Sequence, residues 1–302
     1  MNISILSVAP PYRGGISEQT YYLYNNLQIE HNVEIINFKR QYPGLLFPGK
    51  TQYDDSISDK LLTNNHRIVD SINPISWINV SRFIIKSSPD LIILRFWNPF
   101  FAMSYGSIIK RIKKKLPSTK IISICDNITP HERSIFDTKL IKYLFKFIDG
   151  FIVMSPQVER ELLSISSSFK FVKTFHPISK VKKSYPKKMA KEDLKIYSKR
   201  VILFYGFVRD YKGLDILIKS NKYLNAKLND YRIIICGECY GDKSKYMKMI
   251  SNYSFKDEID WNDQYISEDL SAKYFSASDV VVLPYKSASR SGVIPLSYSY
   301  NI

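Results

Sequence analysis

The sequence predicts an α/β protein made of two parallel-sheet domains. Three observations carry this. Short apolar runs of strand length alternate with stretches of helical periodicity through both halves of the 302 residues. A lysine-rich segment with two prolines, Pro177 to Ala190, separates the halves and reads as a linker. The length suffices for two domains with cores of their own. The expected division is residues 1–178 and 179–302.

In the first half, Asn2 to Val8 is an apolar strand. Ala9 to Gly15 is a turn with two prolines and the pair Gly14-Gly15, and Ser17 is placed to cap the helix that follows. The double glycine is either a plain tight turn or a place where backbone approaches a ligand closely. Val33 to Phe38 is a second strand, and Gln41 to Asp55 a long loop. Asp90 to Leu94 is a strand, and Met103 to Lys115 a helix ending in Lys110, Arg111, Lys113, Lys114 and Lys115. Those cations either complement the helix dipole or contact an anionic membrane surface.

Lys120 to Ile124 is a strand running into Cys125-Asp126-Asn127-Ile128-Thr129-Pro130-His131-Glu132. Loops leaving the carboxyl ends of parallel strands form the ligand crevice of such sheets. Asp126, His131 and Glu132 are therefore candidates for binding a sugar or taking a proton, although His131 alone also fits a structural role. Asp137 to Phe147 is a helix and Gly150 to Met154 a strand. Ser155-Pro156 is a cap followed by an N1 proline, and Phe169 to Phe175 is a further strand.

In the second half, Val201 to Tyr205 is a buried strand closed by Gly206. Arg209 and Lys212 stand on the polar turn after it. Gly213 opens a helix marked by Leu214, Leu217 and Ile218. Strand, glycine turn and helix start together present amides and a positive dipole end to an anion, and two fixed cations suit a diphosphate. Tyr231 to Cys236 is a strand leading into Gly237-Glu238. Ser267 starts a helix with Glu268 and Asp269 in its first turn. Val280 to Leu283 is the last strand, followed by Ser287, Ser289, Ser291 and Gly292 ahead of a final helix.

Composition narrows the classes. The hydrophobic fraction of 45% indicates a globular chain, and the net charge of +16 calls for an acidic partner: nucleotide, anionic lipid or nucleic acid. No nucleic-acid-binding motif accompanies the charge, so nucleic acid is not expected. The three cysteines make no disulfide framework and fit a reducing compartment. Cys236-Gly237-Glu238-Cys239 lacks the second half of a zinc site and a thioredoxin context. The longest apolar run, Leu91 to Ile109, is broken by Arg95, Asn98 and Pro99 and is no membrane span. The G-x-G-x-x-G fingerprint is absent, so NAD is not indicated.

Gly206 to Leu214 resembles the donor-diphosphate loop of the retaining nucleotide-sugar glycosyltransferases of family 4, which have the two-domain GT-B fold. Gly14-Gly15, Asp126 to Glu132 and Pro284 to Gly292 extend the resemblance over nearly the whole chain. It implies two Rossmann-like domains facing across a cleft, with the donor held mainly by the second and a glycan or lipid-linked acceptor by the first. It implies donor contacts from Gly14, Gly15, Arg209, Lys212, Gly237, Glu238, Ser289, Ser291 and Gly292. No Asp-x-Asp occurs, so no metal is expected; Arg209, Lys212 and helix ends would meet the leaving-group charge. Asp126 stands where many members have histidine. Ser289 and Ser297 stand where many have glutamates, as in a serine-rich branch of the family. Members normally continue beyond the last motif, so the second domain is expected to be incomplete. The expected function is sugar transfer onto a surface-glycan or lipid-linked acceptor by a cytoplasmic enzyme, weakly attached to anionic membrane. The alternative is an inactive remnant that binds only nucleotide or a partner protein.

Overall fold

The computed structural model describes residues 1–44, 51–54, 64–129, 136–177, 183–252, 256–287 and 291–302. The chain divides into two compact α/β units that part between His176 and Pro177.

Unit 1 holds β1 (Asn2–Leu6), α1 (Gly15–Leu27), β2 (Asn32–Arg40), β3 (Asn65–Asp70), α2 (Pro74–Ser87), β4 (Leu91–Phe96), α3 (Ala102–Lys115), β5 (Lys120–Cys125), α4 (Asp137–Phe145), β6 (Gly150–Val153), α5 (Pro156–Ile165) and β7 (Phe171–Lys173). The seven strands are parallel, in the order β3-β2-β1-β4-β5-β6-β7. The inner strands β1, β2, β4, β5 and β6 bury apolar side chains, as a sheet covered on both faces requires, while the edge strands β3 and β7 are largely unburied. One core cluster joins the sheet to α2, α3, α4 and α5, with Phe38, Phe96, Phe101, Tyr105 and Phe145 fully buried. Another packs Tyr24, Leu23 and Leu27 of α1 against Ile3, Ile5 and Ile35.

Local chemistry explains several helix starts. Ser155 Oγ accepts from Val158 N with Pro156 at the first helical position, as expected. Asn73 and Pro74 start α2 in the same way. Ser17 does not cap α1: the helix begins two residues earlier, Gly14 is its N-cap, and Ser17 is buried inside the first turn.

Unit 2 holds α6 (Lys187–Asp193), β8 (Arg200–Tyr205), α7 (Leu214–Asn225), β9 (Tyr231–Cys236), α8 (Lys243–Ser251), β10 (Ile259–Asn262), α9 (Glu268–Ala277), β11 (Val280–Val281) and α10 (Val293–Ser299). Its four parallel strands run β10-β9-β8-β11. Leu214, Leu217 and Ile218 of α7 and Tyr246 of α8 cover one face. Phe275 of α9 and Ala190 of α6 pack on the other. The run expected as linker is therefore helix from Lys187 onward; its strong helix formers bury Ala190 against α9. Ser267 caps α9 through Leu270 N.

In both units the strand order reverses beside the first strand, between β1 and β4 and between β8 and β11. Ligands of open α/β sheets bind at the carboxyl ends of the strands at this reversal. The turns after β1 and after β8 occupy those positions.

Candidate functional site

The turn after β8 has the most defined geometry. Gly206 N donates to Cys236 O at 2.8 Å, and Val208 N to Glu238 O at 2.9 Å, so the chain leaving β8 stays tied to the chain leaving β9. Asp210–Lys212 forms a single 3₁₀ turn and Gly213 follows with φ 72°. A Cβ on Gly213 would lie 1.9 Å from the Pro284 carbonyl oxygen, so glycine is required on both steric and conformational grounds. The segment after β11 thus packs directly on this turn, and Lys286 N donates to Tyr211 O at 2.7 Å. Helix α7 then starts on Gly213 with no side-chain cap, leaving its positive end to another partner.

Two cations stand over this turn. Arg209 is exposed, with its guanidinium 5.2 Å from the Tyr240 ring centroid, and Tyr240 stacks on Phe207 at 4.5 Å. Lys212 is half-buried, with its ammonium beside Gly206 and 5.8 Å from the Tyr285 centroid. Burial, and then the neighbouring Arg209 charge, push Lys212 down from 10.5 to about 8. Two carboxylates lie on the same segment but turn to other lysines. Asp210 pairs with Lys245 at 2.8 Å and Lys286 at 3.4 Å, and Asp215 pairs with Lys286 at 2.9 Å. Among the described residues, neither Arg209 nor Lys212 has a carboxylate partner. A half-buried ammonium held beside a second cation without counter-charge is costly, and an anionic ligand removes the cost.

The remaining unit 2 candidates fall around this turn. Gly237 and the buried Glu238 lie at the carboxyl end of β9. Ser291 Oγ accepts from Val293 N at 3.2 Å and lies 3.1 Å from the Tyr285 hydroxyl, which places Ser291 and Gly292 at the start of α10. Ser289 lies outside the described residues. Cys236 and Cys239 are free thiols, and burial raises both above their ordinary value, which disfavours the thiolate.

In unit 1 the turn after β1 is held by Asn37, fully buried, whose side chain accepts from Ala9 N and donates to the carbonyls of Ala9 and Pro10. Gly14 has φ 105° and caps α1 without a side-chain bond; space beside Gly14 and Gly15 is open. Asp126, entered among the catalytic candidates, lies in a buried ion pair. Arg95 Nε donates to its Oδ2 at 2.9 Å and Arg95 Nη2 to its Oδ1 at 2.5 Å. Arg95 Nη2 also donates to Gln19 Oε1 at 2.5 Å, and Gln19 Nε2 lies 2.6 Å from His176 Nε2. The carboxylate thereby fixes Arg95 and Gln19 at the carboxyl edge of the sheet, beside the start of α1. His131 and Glu132 lie outside the described residues.

Residues 187–296 match the family model of glycosyl transferases group 1. The second unit therefore carries a group 1 glycosyl transferase domain, and the chain has the GT-B fold. Solved structures share the fold at low identity. Sucrose-phosphate synthase from Thermosynechococcus elongatus superposes with a TM-score of 0.68 at 16% identity, over 97% of this chain and 77% of that one. HepE of Anabaena in complex with UDP and glucose gives 0.65 at 13% identity, over 98% and 77%. The catalytic domain of starch synthase IV from Arabidopsis thaliana, bound to ADP and acarbose, gives 0.63 at 15%, over 94% and 78%. No curated protein matches the chain in sequence.

Several site residues escaped the sequence reading. Tyr285, Tyr240 and Phe207 surround the two cations, and Arg95 and Gln19 bind Asp126. Tyr285 is reached only when β11 pairs beside β8, and Arg95 only when β4 pairs beside β5. Arg95 had one visible signal: a lone cation within an otherwise apolar buried strand is rare unless paired.

Proposed function

We propose that this chain transfers a sugar from a nucleotide-sugar donor to a glycan or lipid-linked acceptor, with retention, as family 4 glycosyltransferases do, and without a metal. The observation that carries the reading is the pair Arg209 and Lys212, uncompensated by carboxylates among the described residues, on a glycine turn at the strand reversal and the uncapped start of α7. When the bond from sugar to diphosphate breaks, negative charge grows on the departing nucleoside diphosphate. Cations already fixed there lower the barrier without reorganisation.

In this reading Gly237, Glu238, Ser291, Gly292 and Ser289 complete the donor site of the second unit. Gly14 and Gly15 are the donor-contact candidates of the first unit, which would hold the acceptor. Asp126 acts through Arg95 and Gln19, while His131 and Glu132 are the candidates for direct contact with sugar or proton. Work would take place at the cytoplasmic face of a membrane. UDP is the first nucleotide to try, because HepE of Anabaena was solved with it.

Calorimetric titration with UDP, GDP and ADP tests this. One nucleotide should bind, and Arg209→Ala should weaken it by about 1.5–3 kcal/mol, the range for hydrogen bonds to charged groups. Unchanged affinity in Arg209→Ala and Lys212→Ala would remove the assignment. Sugar transfer should persist in excess chelator; loss on chelation with recovery on added magnesium would refute the metal-free reading.

A further inference from the structure

Helices α2, α3 and α4 lie side by side on one face of the unit 1 sheet. α3 packs against α2 on one flank and α4 on the other, with Tyr143 of α4 directly over Gly106 of α3. Their outer surface has a one-sided charge. From Pro74 to Ser87, from Ala102 to Lys115 and from Asp137 to Lys146 there are ten lysines and arginines and a single carboxylate, Asp137. Lys113 is tied to Asp149 at 2.6 Å. Lys110, Arg111, Lys114 and Lys115 of α3 are exposed, as are Lys139, Lys142 and Lys146 of α4 and Arg82 and Lys86 of α2.

The charge has a direction. In a parallel sheet these helices begin at the carboxyl edge of the strands, the edge that carries ligand sites, and end at the opposite edge. Apart from Lys139, the cations lie in the later halves of the helices. The beginnings carry exposed apolar side chains instead: Ile75 is 68% exposed on α2, Met103 46% on α3, and Phe136 60% just before α4. Helix-dipole complementarity explains cations at the ends. It does not explain apolar side chains left in water at three neighbouring starts.

We infer that this surface docks on an anionic lipid bilayer. Apolar side chains at the helix starts enter the headgroup–acyl boundary, and cations at the helix ends lie on the lipid phosphates. A bilayer accepts both at once, whereas a nucleic-acid backbone answers only the cations. The docked orientation brings the strand carboxyl edge of unit 1 to the membrane. There the turn after β1 meets an acceptor anchored in lipid. That last step rests on the proposed function; the lipid contact itself stands on charge and exposure alone.

The purified full chain is sedimented with vesicles of phosphatidylcholine alone, or with about one third phosphatidylglycerol. Binding should require the anionic lipid and fall sharply at about 0.5 M salt. The pair Lys114→Glu/Lys115→Glu on α3 and the pair Lys142→Glu/Lys146→Glu on α4 should each weaken it roughly tenfold or more. Met103→Ser/Phe136→Ser should leave a weaker attachment that salt abolishes completely. All these side chains are exposed, and Lys146 also contacts the Tyr143 and Phe147 rings, so thermal melts are run in parallel to confirm intact folding. Equal binding to both vesicles, binding to neither, or no effect of the α4 pair would overturn the proposal. So would tighter binding to a single-stranded oligonucleotide than to anionic vesicles at the same salt. Nucleotide titration of the same proteins reads the donor site separately, so failure of the lipid surface is distinguishable from failure of the donor reading.

Discussion

Replacing Lys212 by methionine should strengthen the fold while weakening the ligand. Burial and the Arg209 charge lower the ammonium from 10.5 to about 8. At about 1.36 kcal/mol per pKa unit, keeping that charge in the folded protein costs up to about 3 kcal/mol. The sign follows from proton counts. Between about 8 and 10.5 the unfolded chain binds the proton more tightly than the folded one. The penalty is therefore complete below pH 8, and stability recovers as pH rises toward 10.5. Methionine keeps the length and apolar contacts and removes the charge, so Lys212→Met should gain about 1–3 kcal/mol at pH 7, a rise of several degrees in Tm. The same change deletes one charge-assisted contact to a diphosphate and should weaken nucleotide binding roughly tenfold or more. Wild-type protein offers a second check. A bound diphosphate restores the ammonium, so binding of UDP-glucose, whose diphosphate diester has no proton to exchange in this range, should take up about half a proton at pH 8 and almost none at pH 6.5. The uptake is read from calorimetry in buffers of different ionisation enthalpy. A less stable Lys212→Met, unaltered affinity, or no uptake at pH 8 would each refute the reasoning.

Gly213→Ala should remove nucleotide binding and destabilise unit 2 by more than about 1 kcal/mol, since its Cβ would collide with the Pro284 carbonyl and the backbone is left-handed; wild-type affinity would show that the turn can relax. Arg95→Met should cost about 3–5 kcal/mol by removing the guanidinium that pairs with the buried Asp126 carboxylate, and adding Asp126→Asn should restore much of that. Chemical denaturation of the single and double variants measures this coupling, and additive losses would mean the pair is not the source of the effect.

How much of this was legible in the sequence depended on distance along the chain. The extent of β9, the Ser155-Pro156 and Ser267 caps and the glycine at the start of α7 all come from local patterns. The Asn73-Pro74 start of α2 carried an equally local signal that went unread. Ser17 misled because serine caps helices well in isolation, while here Gly14 enters the helix first and the hydroxyl is buried. Lys212 was legible as a cation on a turn, but its half-buried state was not. That state depends on Tyr285, brought in by pairing of the short strand β11 with β8. Asp126 likewise looked available because its neighbours in sequence are polar, whereas its partner Arg95 belongs to the adjacent strand.

The clasp between the turn after β8 and the segment after β11 has a consequence for when the site can exist. Gly213 meets Pro284, and Lys286 hydrogen-bonds Tyr211, across the whole of the intervening α7–α9 region. A chain that has formed only β8 and α7 has the cations but not the wall that packs against them. Loop closure over that span must come before the reward. Nucleotide is then a ligand of the completed unit alone. Its contribution to stability, about 2.7 kcal/mol at a hundredfold excess over Kd, is felt by the last strand–helix unit to dock. The amide of Lys286, closed onto Tyr211 only when the clasp is shut, is the hydrogen whose exchange would slow as the nucleotide fills its place.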